Sequence, residues 1–204
     1  DCPEELSRFL IGQFGLTDND LYVCQGPVNL GRLDAIPDLV EAPELKYPSF
    51  RPRIPEQLRR SETIFEAIAD NEILLHHPYE SFAPFVEMLR QAARDPLVVS
   101  IRQTLYRTGT GCAVVAALLA AATAGKDVMV VIELRARFDE AANIELATAL
   151  QAAGAQVVYG VVGHKTHAKM CMIIRREGRR LTRYVHLGTG NYHERTSRSY
   201  TDFG

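Results

Sequence analysis

The sequence predicts an α/β protein with a mostly parallel, mixed sheet flanked by helices, and three observations carry that reading. The runs at 128–134 and 156–162 are nearly continuously apolar, as strands covered on both faces are. Helical patterns of 11–15 residues separate the strand runs, the kind of crossover that parallel neighbours require. The first seventy residues lack this alternation and read as a small, mainly helical segment with a proline-rich linker. At 204 residues the chain makes one large domain or two small ones. A chain of that size buries about 70% of its unfolded surface and needs no disulfides to hold a core.

In chain order, residues 3–14 predict a short helix with Leu6, Phe9, Leu10 and Phe14 on one stripe. A second helix is expected within 26–39, stopped by Pro37. Pro43, Pro48, Pro52 and Pro55 then fall close together around Tyr47 and Phe50, which predicts an extended linker wrapping a surface. Ser61 is expected to cap a helix running to about Asn71, and a domain boundary is placed near residue 58. Beyond residue 70 the rhythm becomes strand 73–78, amphipathic helix 81–94, strand 97–106 and an alanine-rich helix 112–124 closed by Gly125. Strand 128–134, helix 139–153 and strand 156–162 follow. From Ala168 the pattern changes to a hairpin, 168–175 and 181–187, turning at Glu177 and Gly178. No internal repeat or low-complexity tract is present.

Composition is ordinary for a soluble protein, at 47% hydrophobic and 24% charged residues. No apolar run reaches the ~18 residues of a membrane span. The acidic opening DCPEE is not a signal peptide, and the chain reads as a cut from a longer one. Cys2, Cys24, Cys112 and Cys171 form no CxxC pair and predict reduced thiols in a cytoplasmic protein. The net charge is only −2, but it is uneven. Residues 1–70 carry seven Lys or Arg against thirteen Asp or Glu, whereas 165–204 carry nine against three. A basic end suggests a polyanion site. Five of those nine, Arg175, Arg176, Arg179, Arg180 and Arg183, are accounted for by a solvated hairpin.

The usual nucleotide fingerprints are missing. GTG at 109–111 and at 188–190 lack the third glycine of a dinucleotide fold, and GHKT at 163–166 resembles only the tail of a P-loop. The informative stretch is GVVGHKTHAK at 160–169, followed by GTGNY at 188–192. On an extended chain residues two apart share a face, so His167 and Lys169 point the same way. A neutral imidazole is a competent nucleophile toward phosphorus, and an adjacent ammonium can absorb the charge that builds on phosphate oxygens. Asn191 could hold the other imidazole nitrogen or a further oxygen. HxK with a glycine turn and Asn behind it resembles one half of the phospholipase D active site. Ile174 stands where that pattern has an Asp, and the hairpin lengthens the spacing from lysine to glycine.

Six collinear motifs go further: HHPYESF (76–82), QTLYR (103–107), ELRARFDE (133–140) with ANI (142–144), VYGVVG (158–163), KTHAK (165–169), and YVHLGTGNYH (184–193) with YTD (200–202). Together with GPVNL (26–30) and LKYPSF (45–50), they closely resemble bacterial polyphosphate kinases of the first type along essentially the whole chain. The resemblance implies the end of the family's head domain with its linker over 1–58. It implies the first phospholipase-D-like catalytic domain over 59–204, stopping before the second. It implies reversible transfer of the terminal phosphate of ATP to inorganic polyphosphate through a phosphohistidine, with Mg2+. Carried over by residue, the phosphorylated histidine is His167, Arg107 and Arg137 adjoin the magnesium site, and Tyr200 contacts ATP. A guanidinium has no lone pair for a cation, so both arginines are read as phosphate forks at strand ends. The resemblance also implies no nucleic-acid partner, a homo-oligomeric full-length enzyme, and a place in the cytoplasm or on the inner face of the bacterial membrane.

His164 stands where the family has an apolar residue and is a rival to His167. His76, His77 and His186 are read as structural, His193 as open, Arg135 as either channel-lining or paired with Glu133 or Asp139, and Cys171 as packing. Two other functions are weighed against phosphoryl transfer. One is phosphodiester hydrolysis of the phospholipase D or nuclease type, which uses the same HxK. The other is polyphosphate binding without turnover, which is the expectation for these 204 residues by themselves.

Overall fold

In the computed structural model, residues 2–26, 28–48, 50–106, 108, 111–133, 140–161 and 163–204 are described. The chain divides into two compact units, 1–50 and 51–204. The first unit holds helix α1 (Glu4–Phe14), which carries the expected stripe with Phe9 and Phe14 exposed. Its second helix departs from expectation. Residues 30–35 form a 3₁₀ turn, and the short α2 (Ile36–Leu39) has Pro37 in its first turn instead of ending there. The first helical turn has N–H groups without intrahelical partners, so a residue lacking one fits at its start.

The second unit opens with α3 (Glu56–Arg60) and α4 (Ile64–Asp70). Ser61 closes α3, and Thr63 is the cap of α4. The Thr63 hydroxyl accepts the Glu66 N–H at 3.1 Å, and the Glu66 carboxylate accepts the Thr63 N–H at 3.3 Å. A reciprocal box needs an acid three residues on; Thr63 has Glu66 there, whereas Ser61 has Ile64. Thr63→Ala should therefore cost about 1 kcal/mol in urea unfolding, with Ser61→Ala within experimental error; the reverse order would put the cap back at Ser61.

The sheet has five strands in the order β4-β3-β2-β5-β6. They are β2 (Val98–Leu105), β3 (Asp127–Ile132), β4 (Gln156–Tyr159), β5 (Lys169–Glu177) and β6 (Arg180–Gly188). Numbering starts from β1 (His76–His77), which pairs with β7 (Asp202–Phe203) in a separate two-stranded sheet. The crossovers are α6 (Ala113–Thr123) between β2 and β3, and α7 (Glu140–Ala152) between β3 and β4, both pairs being parallel. β5 joins β2 antiparallel and carries β6 as the expected hairpin. Helix α5 (Ala83–Arg94) leads into β2. Leu89 of α5, Leu118 of α6 and Leu146 and Leu150 of α7 are fully buried in one cluster with Ile101, Val130 and Ile173 of the sheet. Register explains the cluster. Val128, Ile101, Ile173 and Tyr184 face one another across four strands, and the next buried row lies two residues along.

Two strand expectations are corrected. Of 73–78 only His76 and His77 form a strand, with Leu75 exchanging both backbone hydrogen bonds with Gly204 beside it, at 2.8 and 2.9 Å. β4 is not buried on both faces: it lies at the sheet edge, with Val158 and Tyr159 exposed. An edge strand has a neighbour on one side only. The arginine-rich hairpin is also less uniform than expected. Arg176, Arg179, Arg180 and Arg183 are exposed. The Arg175 guanidinium is held by Asp95 at 2.8 Å and Glu177 at 3.1 Å and covers the Phe65 ring.

Candidate active site

His167 lies in the segment that joins edge strand β4 to interior strand β5, and its backbone is tied on both sides. Before it, the Thr166 N–H donates to the Glu133 carboxylate at 2.8 Å. After it, the Thr104 hydroxyl donates to the Ala168 carbonyl at 2.7 Å and accepts from the Met170 N–H at 2.9 Å. Upstream, the His164 N–H donates to the Val161 carbonyl at 3.0 Å, closing a turn with Gly163 at φ +81°. That is the positive φ a type II turn demands at its third residue. His164 itself is exposed at the end of this turn.

The structure brings His167 and Lys169 together on Tyr106. The imidazole and phenol rings meet edge to face with centroids 5.1 Å apart. The Lys169 Nζ lies 5.4 Å from the Tyr106 centroid and donates to the His167 carbonyl at 2.6 Å. The two differ sharply in solvation: His167 is exposed, whereas Lys169 is only 7% exposed. Among the described residues no carboxylate lies within ion-pair distance of Lys169. Burial lowers the pKa of its ammonium, and the charge of the more distant Asp202 pulls the other way. A buried ammonium with one carbonyl partner and an aromatic face still has donors to offer an anion.

The glycine turn lies beyond the hairpin. The Thr189 hydroxyl donates to Asp202 at 2.8 Å, and Thr189 N–H donates to the Phe203 carbonyl at 2.9 Å. Gly190 is required there, since a Cβ would overlap the Asp202 carboxylate. Asn191 does not hold His167: its Oδ1 is buried and accepts no hydrogen bond among the described residues. Tyr200 is 64% exposed, fixed through its own N–H to the Thr196 carbonyl at 2.9 Å. Arg107, Arg137 and Arg135 lie outside the described residues. Tyr106, Thr104 and Glu133 are residues to which sequence reasoning assigned no role at the site, although each stands inside or beside one of its motifs.

The remaining histidines have local partners. His77 Nδ1 meets the Glu80 carbonyl at 2.8 Å, His76 stacks on Phe203, and His193 Nδ1 accepts the Arg195 N–H at 3.1 Å. His186 shares a hydrogen bond with the Tyr192 hydroxyl at 3.0 Å, while its Nε2 is buried without a partner. Burial pushes its pKa down to about 4, with His77 adding to the effect. Folding thus favours the neutral ring. Its contribution is complete above the unfolded value near 6.5 and is lost as pH falls toward 4. The urea midpoint should fall across that window, and His186→Gln should flatten the slope; an unchanged slope would assign the acid sensitivity to other groups. Cys171 is fully buried, and burial raises its thiol pKa far above the ordinary value.

Residues 63–204 match the family model for polyphosphate kinase C-terminal domain 1. The chain belongs to the polyphosphate kinase family. The match begins at Thr63, the cap of α4. The polyphosphate kinase of Xylella fastidiosa (strain 9a5c) is 60% identical over 202 residues, which is 99% of this chain and 28% of that relative. A Pseudomonas aeruginosa polyphosphate kinase is 54% identical over 202 residues, 99% of this chain and 29% of its own length. The crystal structure of polyphosphate kinase from Porphyromonas gingivalis superposes with a TM-score of 0.75 at 34% identity, over 99% of this chain and 32% of that one. The chain therefore spans under a third of the polyphosphate kinases it matches. Among the described residues no helix is long and apolar enough to cross a membrane.

Proposed function

We propose that this chain carries the phosphate-accepting centre of an ATP–polyphosphate phosphotransferase, with His167 as the nucleophile. The observation that carries this reading is the buried ammonium of Lys169, without an ion-pair partner among the described residues, beside the exposed imidazole of His167, both against Tyr106. An imidazole nitrogen attacks the terminal phosphorus of ATP as the bond to the bridging oxygen breaks, and ADP leaves with that electron pair. In the second step a terminal oxygen of polyphosphate attacks the same phosphorus, the N–P bond breaks, and the imidazole is regenerated. Lys169 faces charge on the transferring oxygens in both steps, in a setting where water screens it little. A bound phosphate would also restore the ammonium's basicity, offsetting the cost of its burial. Arg107 and Arg137 are assigned as phosphate forks and Tyr200 as a nucleotide contact on the family resemblance. We assign 1–58 to the end of the head domain and linker, and 59–204 to the first catalytic domain.

Magnesium fits as the counter-ion carried in on the ATP phosphates. Among the described residues no three His, Cys, Asp or Glu side chains converge on one point. Four free thiols, two of them buried, agree with a cytoplasmic setting.

Incubation of an enzyme of the relatives' length with terminally labelled ATP, followed by peptide mapping, tests the reading. Acid-labile label on the peptide containing His167 is expected, and label absent or confined elsewhere would overturn it. These 204 residues by themselves should bind long polyphosphate with an affinity that falls as salt rises; salt-independent binding would contradict an electrostatic site.

A further inference from the structure

We propose that Glu133 is a positioning residue for the nucleophile, an inference that rests on His167 being phosphorylated. Glu133 follows β3 directly and is 4% exposed. Its main chain is fixed on two sides. Its N–H donates to the Leu105 carbonyl of β2 at 3.3 Å, and its carbonyl accepts from Asn143 Nδ2 of α7 at 3.1 Å. Asn143 is itself buried. The carboxylate therefore projects from a rigid post, and it receives the Thr166 N–H at 2.8 Å, one residue before His167.

Among the described residues the segment between β4 and β5 has few other backbone ties. Its local bridge joins Val161 to His164, and the Thr104 hydroxyl holds Ala168 on the far side. An exposed side chain on a connecting segment is only as well placed as its backbone. Glu133 supplies the anchor immediately upstream of His167. Gly160 bends the start of this segment at φ +58°, a conformation that side-chain-bearing residues rarely adopt, and its backbone passes beside the Glu133 carboxylate. In-line attack on phosphorus needs a nucleophile held near its reactive geometry, and a displacement of about 1 Å can cost roughly 10²-fold in rate.

This role separates contact from charge. Glu133→Gln keeps an acceptor oxygen of the same reach but removes the charge. Glu133→Asp keeps the charge but is one methylene too short for Thr166. In an enzyme of the relatives' length carrying this chain, Glu133→Gln should retain kcat within about threefold. Glu133→Asp and Glu133→Ala should lose about 10–100-fold in kcat, with the KM for ATP within about threefold. Thermal midpoints are measured alongside, and if the alanine variant fails to fold, the Gln and Asp pair decides. Asp retaining more activity than Gln would make the charge the operative feature and overturn the proposal, as would full kcat in Glu133→Asp. Should His167→Ala keep its acid-labile label, the reading of the nucleophile fails instead, whatever the Glu133 variants do.

Discussion

Replacing His167 by alanine should abolish both acid-labile phosphorylation and polyphosphate synthesis in the full-length enzyme while leaving the fold intact. The chemical half follows from the role of the imidazole: without its lone pair no N–P bond forms at this position. The structural half follows from placement. His167 is exposed, its ring meets Tyr106 at one edge, and the hydrogen bonds that fix its neighbourhood come from Thr166, Ala168 and its own carbonyl. These hydrogen bonds all survive truncation of the side chain. His164→Leu should leave labelling and turnover nearly unchanged, because His164 is exposed and its structural contribution is a backbone N–H. Labelling retained in His167→Ala and lost in His164→Leu would transfer the nucleophile to His164.

The second large effect is expected at Lys169, where activity and stability should move apart. Lys169→Met preserves the length and apolar stem of the side chain and removes the charge. Turnover should fall about 10²–10³-fold, the scale of losing one preorganised charge-stabilising donor. Stability should hold or rise. The ammonium is buried with a single carbonyl bond and an aromatic face, so its desolvation is only partly offset. A thermal midpoint at or above that of the parent, together with the loss of turnover, is the pattern of a site that trades stability for chemistry. Turnover within tenfold of the parent would remove Lys169 from the transition state. A large drop in midpoint would make it a structural residue instead.

These predictions draw unequally on sequence and structure. The strand–helix alternation beyond residue 70 was legible because a strand covered by helices, such as β3, is written as a nearly continuous apolar run, here 128–132. The hairpin of β5 and β6 was legible because Glu177 and Gly178 mark its turn. The shared face of His167 and Lys169 follows from the period of an extended chain. Burial was harder to read. The run at 156–162 has the composition of a central strand yet supplies an edge, because hydrophobicity reports affinity for a neighbour and not how many neighbours are present. Caps were misjudged where a local rule had two candidates: Ser61 and Thr63 are equally good residue types, and only the acid at Glu66 separates them.

What the sequence by itself determined is the family, the order of elements and the identity of the chemical groups, since each depends on residues near one another in the chain. What only the tertiary structure decided is the environment of those groups. Glu133 reaches Thr166 across 33 residues, and Thr104 reaches Ala168 across 64. Tyr106 receives both His167 and Lys169 because β2 lies beside β5 in the sheet. No periodicity encodes such pairings, since they depend on which strand lies next to which. The solvation of Lys169, and hence its readiness for an anion, is likewise fixed by what packs over it. A charge's energy in a protein depends on the dielectric and the partners around it, and those exist only once the chain has folded.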